Sequence, residues 1–288
     1  MENIIVGIDF SNCSHNAMEH ALSAAVATGS KLTLLYILAT DAKIFDDEDQ
    51  DHSGSLLEKM SKKLEKWADE CRRIYPNVET KVKEAEGKIF REIVAEADTM
   101  EDAVIFVGTH GSSGFEERFI GSAAFKIVSN ANCPVFTIRE SNDINRRLDN
   151  MLLLVDSNRE TLQKVKLAAQ LAKAFNAKVS VLGLQIAGAS AEISARVKAF
   201  VGRAEEYMVE RNIRVDKDFM VVDPKVPEVI FEYAEKHDMN LLVCMKEIEL
   251  YADRLFVLTS FNKRIVNRSP FPVLTIPVDY TIYNNVRS

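Results

Sequence analysis

The chain has 288 residues, 47% of them hydrophobic and 27% charged, with a net charge of −7 and a pI near 5.4. That length permits one large domain or two ordinary ones. The acidic balance argues against a nucleic-acid partner, since a phosphate backbone needs a basic face, and no apolar run nears the ~20 residues of a membrane span. Four scattered cysteines form no CxxC pair, and the start, MENIIVGIDF, has no basic leader. Both features predict a cytoplasmic protein with reduced thiols.

NIIVGID is a continuous apolar run, the mark of a strand buried on both faces. NAMEHALSAAVATG has a helical apolar face and stops at Gly29. KLTLLYIL is a second strand. SLLEKMSKKLEKWADECRRIY is an amphipathic helix ending before Pro76, with Trp67 expected in the core. VETKVKEA alternates as a more exposed strand, KIFREIVAEAD is helical, and AVIFVG is another buried strand. SAAFKIVSNA is a helix and CPVFTI the last strand. Alternating strands and helices predict an α/β fold with a parallel sheet, helices on both faces and right-handed crossovers.

The pattern is then written again. IIVGID returns as LLLVDS, so that Asp9 matches Asp156 at an offset of 147. KLTLLYIL returns as KVSVLGLQ, and CPVFTI as FPVLTI at an offset of 138. Two homologous domains follow, residues 1–140 and 149–280, joined by the charged stretch RESNDINRR. The second copy is nine residues shorter, and the acidic segment DAKIFDDEDQDHSG has no counterpart in it.

The stretch VGTHGSSGFEERFIGSAAF holds four of the chain's 11 glycines. Gly108 and Gly111 follow a buried strand, and Gly121-Ser122 opens a helix. Glycines let backbone approach an anion without a Cβ in the way. A helix N-terminus adds free N–H groups and a positive dipole end, and Ser122 a hydroxyl donor. The plain alternative is a surface turn leading into a capped helix. In open α/β sheets ligands sit beyond the carboxyl ends of strands at a topological switch point, so Asp9 and Gly108 face one crevice if their strands are neighbours.

VGIDFS, GTHG, GSA and CPVFTI together resemble the universal stress protein family, over nearly the whole chain and in two fused copies. The resemblance implies two tandem, open, five-stranded parallel sheets, Rossmann-like, with strand order 3-2-1-4-5. For the first domain it implies the family's ATP-binding branch: Asp9 at the nucleoside end, Ile37 beside the adenine, and Val107, Gly108, His110, Gly111, Gly121, Ser122 and Ala123 around ribose and phosphates. Adjacent phosphates at one helix end call for Mg2+ as well. At the offset of 138, Gly108, Gly111 and Gly121 become Lys246, Glu249 and Thr259, while Ser122 becomes Ser260. The second domain is therefore expected to be a structural half without nucleotide. The resemblance also implies an intramolecular pseudo-dimer paired through the last strands; a homodimer of whole chains stays open.

Three function classes remain: a nucleotide-binding stress or regulatory protein, a ligand-independent scaffold, and a slow ATPase. No Walker lysine or positioned general base supports the last. Two motifs only approximate sites. Asp47, Asp49, Asp51 and Glu58 have the spacing of a calcium loop but place His52 where glycine is needed. His15 and His20 are five apart on a helix and are read as surface residues.

Overall fold

The structure is a computed structural model that describes residues 1–39, 50–109, 122–143, 148–223, 228–246 and 263–279, with backbone alone at 50–57 and 122. The chain divides into two units, Met1–Ile144 and Asn145–Ser288.

In the first unit, β1 (Asn3–Ile8) leads to α1 (Asn12–Thr28), β2 (Lys31–Ala39), α2 (Gln50–Ile74), β3 (Thr80–Gly87), α3 (Ile89–Asp98), β4 (Ala103–Gly108), α4 (Ser122–Asn130) and β5 (Val135–Ile138). The strands stand in the order β3-β2-β1-β4-β5, each parallel to its neighbours. β1 is central, and Ile4, Ile5 and Val6 are fully buried. That is what its unbroken apolar run requires, because helices cover both faces of the sheet. Phe106 of β4 and Phe136 of β5 stack at 4.3 Å in the same core. Ser11 caps α1, and Gly29 ends it at φ 71, a left-handed turn that suits glycine.

The second unit repeats the plan. It runs β6 (Asn150–Val155), a 3-10 turn (Arg159–Leu162), α5 (Lys164–Phe175), β7 (Lys178–Ile186), α6 (Ala191–Val209), β8 (Val215–Val222), α7 (Glu228–Lys236), β9 (Leu241–Met245) and β10 (Val273–Ile276). A helical segment at 263–268 precedes β10. The order is β8-β7-β6-β9-β10, again parallel, so each unit by itself has the expected 3-2-1-4-5 topology.

The shortening of the second copy is more distributed than one missing loop. The chain from Ala39 to Thr80 is twelve residues longer than that from Ile186 to Val215, and the second copy regains three between β8 and β9. α2 also begins at Gln50, so residues 51–58 lie on a helix rather than in a calcium loop. Asp47 and Asp49 lie outside the described residues, and Glu58 bonds Lys62 at 2.7 Å.

The outer strands differ. β3 sets Lys81, Lys83, Glu84 and Glu86 along the edge of the first unit. At the matching edge β8 carries Phe219, 39% exposed, and Val221, 64% exposed. Tyr36 pairs with Glu84, whereas its counterpart Gly183 pairs with Phe219. A Cβ on Gly183 would lie 2.6 Å from the Phe219 ring, so the aromatic bulk has moved one strand outward.

Two helix residues depart from their expected places. Trp67 is half-buried rather than in the core. His20 is buried, at 3% exposure, while His15 is half-exposed. The cause is the breadth of the α1 contact: the helix packs on β1, β2, β4 and β5, so its covered face extends to Asn16 and His20. Asn16 Nδ2 donates to the Arg139 and Asn142 carbonyls at 2.6 and 2.7 Å. Its own carbonyl accepts from His20 Nδ1 at 2.9 Å, and His20 Nε2 has no partner among the described residues.

Burial holds the His20 pKa below its usual 6.5, although the Asn16 bond, Glu19 and Asp143 act the other way. The unfolded chain therefore takes up this proton at a higher pH than the folded one. Stability should fall as pH drops below about 6.5 and level off beneath the folded pKa. Denaturant melts between pH 7.5 and 5 should show a loss in the wild type that is smaller in His20→Gln.

Candidate functional site

Strand order creates the site. From β1 the chain moves outward through β2 and β3, and then returns to place β4 on the other side of β1. The carboxyl ends of β1 and β4 thus border a crevice at a switch point. Val6 pairs with Phe106, and Gly108 lies two residues beyond that pair and Asp9 three. On the other flank Ile8 pairs with Tyr36, leaving Asp9 and Ile37 each one residue further on. Val107 and Ile37 are buried, and Gly108 pairs with Ile138 of β5. Four of the nine expected residues are thereby gathered at adjacent strand ends. Ser122 is the first residue of α4 and Ala123 is exposed behind it. His110, Gly111 and Gly121 lie outside the described residues.

Asp9 is held by a closed ring of short bonds. Ser11 donates to Asp9 Oδ1 from its N–H at 3.0 Å and from its hydroxyl at 2.6 Å. The Ser11 hydroxyl accepts from the Ser14 N–H at 3.1 Å. The Ser14 hydroxyl donates to the Ser11 carbonyl at 3.1 Å and accepts from the Asp9 N–H at 3.4 Å. A short acid bonding two residues ahead is the usual Asx turn, here merged with the cap of α1. The second unit builds the same turn: Asp156 Oδ1 accepts from the Asn158 N–H at 2.9 Å, and the Asp156 N–H donates to Thr161 Oγ1 at 3.2 Å. The paired spellings DFSNCS and DSNRET were the available sequence signal for these partners.

Phe10, inside the first turn, has φ 63. That left-handed conformation disfavours a side chain by about 1–2 kcal/mol. Its ring packs 5.3 Å from both Tyr36 and Trp67, and Lys63 Nζ lies 4.5 Å from the ring centre. His15 meets the other side of Trp67 at 5.1 Å.

Gly108 has a packing reason to be glycine. A Cβ there would stand 2.8 Å from Cys13 Sγ and 3.0 Å from the Cys13 carbonyl carbon. The bare backbone lets α1 lie close over β4, and the Cys13 thiol donates to the Ile138 carbonyl at 3.2 Å. The second unit has Met245, not the expected Lys246, at the matching place, since Gly108 pairs with Ile138 and Met245 with Ile276. Lys246 stands where Thr109 does. Its helix also opens differently, with the 3-10 turn before α5.

A buried cation is the second unit's other departure. Lys164 is 1% exposed and occupies the position of Ala17. By strand register Phe106 and Phe136 correspond to the smaller Val243 and Leu274, so the lysine stem takes up volume that two aromatic rings fill in the first unit. A helical side chain leans toward the helix N-terminus, and Lys164 Nζ accordingly donates to Thr161 Oγ1 at 2.7 Å. Burial lowers its pKa from 10.5 to about 8, against the attraction of Asp156 and Cys244. Among the described residues no cluster of three or more His, Cys, Asp or Glu is arranged to hold a metal.

Two outcomes follow. Gly108→Ala should destabilise the chain by about 1–3 kcal/mol through overpacking, and Cys13→Ala introduced alongside it should recover part of the loss in a thermal melt. Lys164→Met should stabilise the chain at pH 7 by about 1–3 kcal/mol, because a buried charge is replaced by a thioether of similar length. The folded ammonium loses its proton first, so wild-type stability should rise from pH about 8 to 10.5 and narrow the gap.

Comparison with known proteins agrees with this frame. The model of the universal stress protein family matches residues 1–139 and again 148–277. A universal stress protein of Methanocaldococcus jannaschii is 26% identical over 147 residues, which is 48% of this chain and 82% of the relative. One of Mycolicibacterium smegmatis is 26% identical over 140 residues, 47% of this chain and 45% of the relative, so under half of that longer protein is matched. The solved structure of a universal stress protein from Archaeoglobus fulgidus superposes with a TM-score of 0.74 at 16% identity, covering 96% of this chain and 98% of that one, a likeness of fold. With the family model matched twice, end to end, the chain belongs to the universal stress protein family as a tandem of two domains.

Proposed function

We propose that the first unit binds an adenine nucleotide, ATP with magnesium, in the crevice between the carboxyl ends of β1 and β4. On this reading the second unit is a structural half that takes no nucleotide, and the two halves pair through their last strands. The observation that carries the reading is the switch point: a positioned carboxylate, Asp9, and a strand ending in Gly108 border the same crevice, just before the glycine stretch that leads into α4. Val107 and Ile37 supply apolar walls near that end, as a nucleobase requires. Ser122 and Ala123 begin the helix toward which the phosphates would point, with His110, Gly111 and Gly121 on the loop before it.

The second unit keeps the aspartate turn but not the access. By strand register Met245 stands at the place of Gly108, at the sequence offset Glu249 and Thr259 replace the two later glycines, and Lys164 brings an ammonium near Asp156. A carboxylate at Glu249 near the phosphate position would repel it by roughly a kcal/mol or more. The chain then acts as a cytoplasmic stress-response or regulatory protein whose signal is occupancy of one site, rather than as a catalyst. Its four cysteines form no disulfide.

Calorimetric titration of Mg-ATP into the full chain should give about one site, lost in Gly121→Val with the circular dichroism unchanged. Two sites of similar affinity, or an undiminished one in Gly121→Val, would overturn the assignment.

A further inference from the structure

Phe10 combines three facts that packing alone leaves unconnected. It is a bulky residue in a left-handed conformation. It sits inside the hydrogen-bonded ring that fixes Asp9. Its side chain leaves the crevice and enters a half-exposed cluster with Tyr36 of β2 and Trp67 of α2, flanked by Lys63. An aromatic residue at positive φ is unusual, and such outliers persist where surrounding contacts impose them and gather at functional sites. Here the surrounding contacts are the two rings.

The second unit supplies an internal control. At the positions of Phe10, His15 and Tyr36 it has Ser157, Leu162 and Gly183. Ser157 is not at positive φ, yet Asp156 still forms its Asx turn. The turn therefore forms without the aromatic seat. The seat occurs in the unit that has the glycines and is missing from the unit that has lost them.

We propose that Phe10 is a positioning residue for Asp9, held left-handed by its seat between Tyr36 and Trp67, and that it conveys occupancy of the first unit's crevice to helix α2. The second half of this statement rests on the nucleotide reading above; the first half does not. The linkage is short. Asp9 and Phe10 share a peptide unit, so a ligand that draws on the Asp9 carboxylate turns the backbone on which the ring is mounted. The ring is wedged against Trp67, so α2 registers the change. A sub-ångström shift at one end is passed on because packed rings deform little.

Trp67 is the only tryptophan, so its emission reports the far end directly. In the full chain, Mg-ATP is titrated while heat and fluorescence are followed together. Without nucleotide, hydrogen exchange is measured at the Ser11 and Ser14 amides that close the turn. The emission should change with the midpoint of the heat. Phe10→Ala and Trp67→Ala should each weaken ATP binding by about threefold to tenfold. Both should speed exchange at Ser11 and Ser14 while the amides of β1 and β4 keep their protection. Trp67→Phe, which retains a ring, should restore affinity and protection, a rescue that a merely structural role would not require. Binding heat with silent Trp67 emission and unaltered affinity in both alanine variants would sink the coupling. Unchanged exchange at Ser11 in both variants would sink the positioning role, whatever ATP does. Absence of heat in the wild type would remove the nucleotide reading and the coupling with it, leaving the exchange result to decide the positioning role alone.

Discussion

Everything in the first unit depends on how closely α1 lies on β1 and β4. A parallel strand buried on both faces must be covered by helices, and the covering helix must start where the strand stops. Asp9 ends one and Ser11 caps the other, with a single residue between them. The descent of α1 onto the sheet is possible because Gly108 offers no side chain to Cys13. Asp9, the cap and the mouth of the crevice are thus one piece of geometry, set by a helix-to-sheet distance. A glycine that reads as room for phosphate has a second duty in holding that distance, and the two duties do not conflict, since one concerns the side toward α1 and the other the backbone.

The second unit shows how much of this can change while the frame stays. Its strands repeat the order and its aspartate repeats the turn, yet its interior is differently filled. Two stacked rings and an alanine become a valine, a leucine and a lysine. The sum of volumes is nearly conserved, which a close-packed core demands, but the polarity is not. A buried ammonium stabilises little by itself and is tolerated because Thr161 and Asp156 lie within reach.

Much of the fold could be read directly. Continuous apolar runs marked β1 and β4, Gly29 marked the end of α1, and the double spelling of the chain marked two units. The strand order came from family resemblance and not from periodicity, because pairing is non-local. What escaped had a common cause. His20 and Trp67 were misplaced because a helical stripe gives the direction of burial and not its width: α1 touches four strands, whereas α2 turns Trp67 toward a surface cluster. Lys164 was invisible because a lysine near a helix start normally reads as solvated. Its burial follows from the loss of bulk at Val243 and Leu274, far away in sequence. The left-handed Phe10 had no signature either, since positive φ announces itself only through glycine or asparagine. At the site, Asp9 and Gly108 were legible as strand ends, Ile37 and Val107 came from the family resemblance, and the hydroxyl partners of Asp9 were present in the repeated D-x-x-x-x-S/T spacing without being recognised.

The outer strands carry one more consequence. β3 is lined with alternating charges, the usual guard against accepting a stray strand. β8 keeps charges only in its first half, at Asp216, Lys217 and Asp218, and carries Phe219 and Val221 beyond them, where Phe219 covers Gly183, the counterpart of Tyr36. An exchange that began as a matter of filling a core therefore changed the colloidal character of a surface. The two copies, alike in topology, are unequal in how safely each outer strand stands at high concentration, since β3 alternates charges to its end while β8 leaves its second half to Phe219 and Val221.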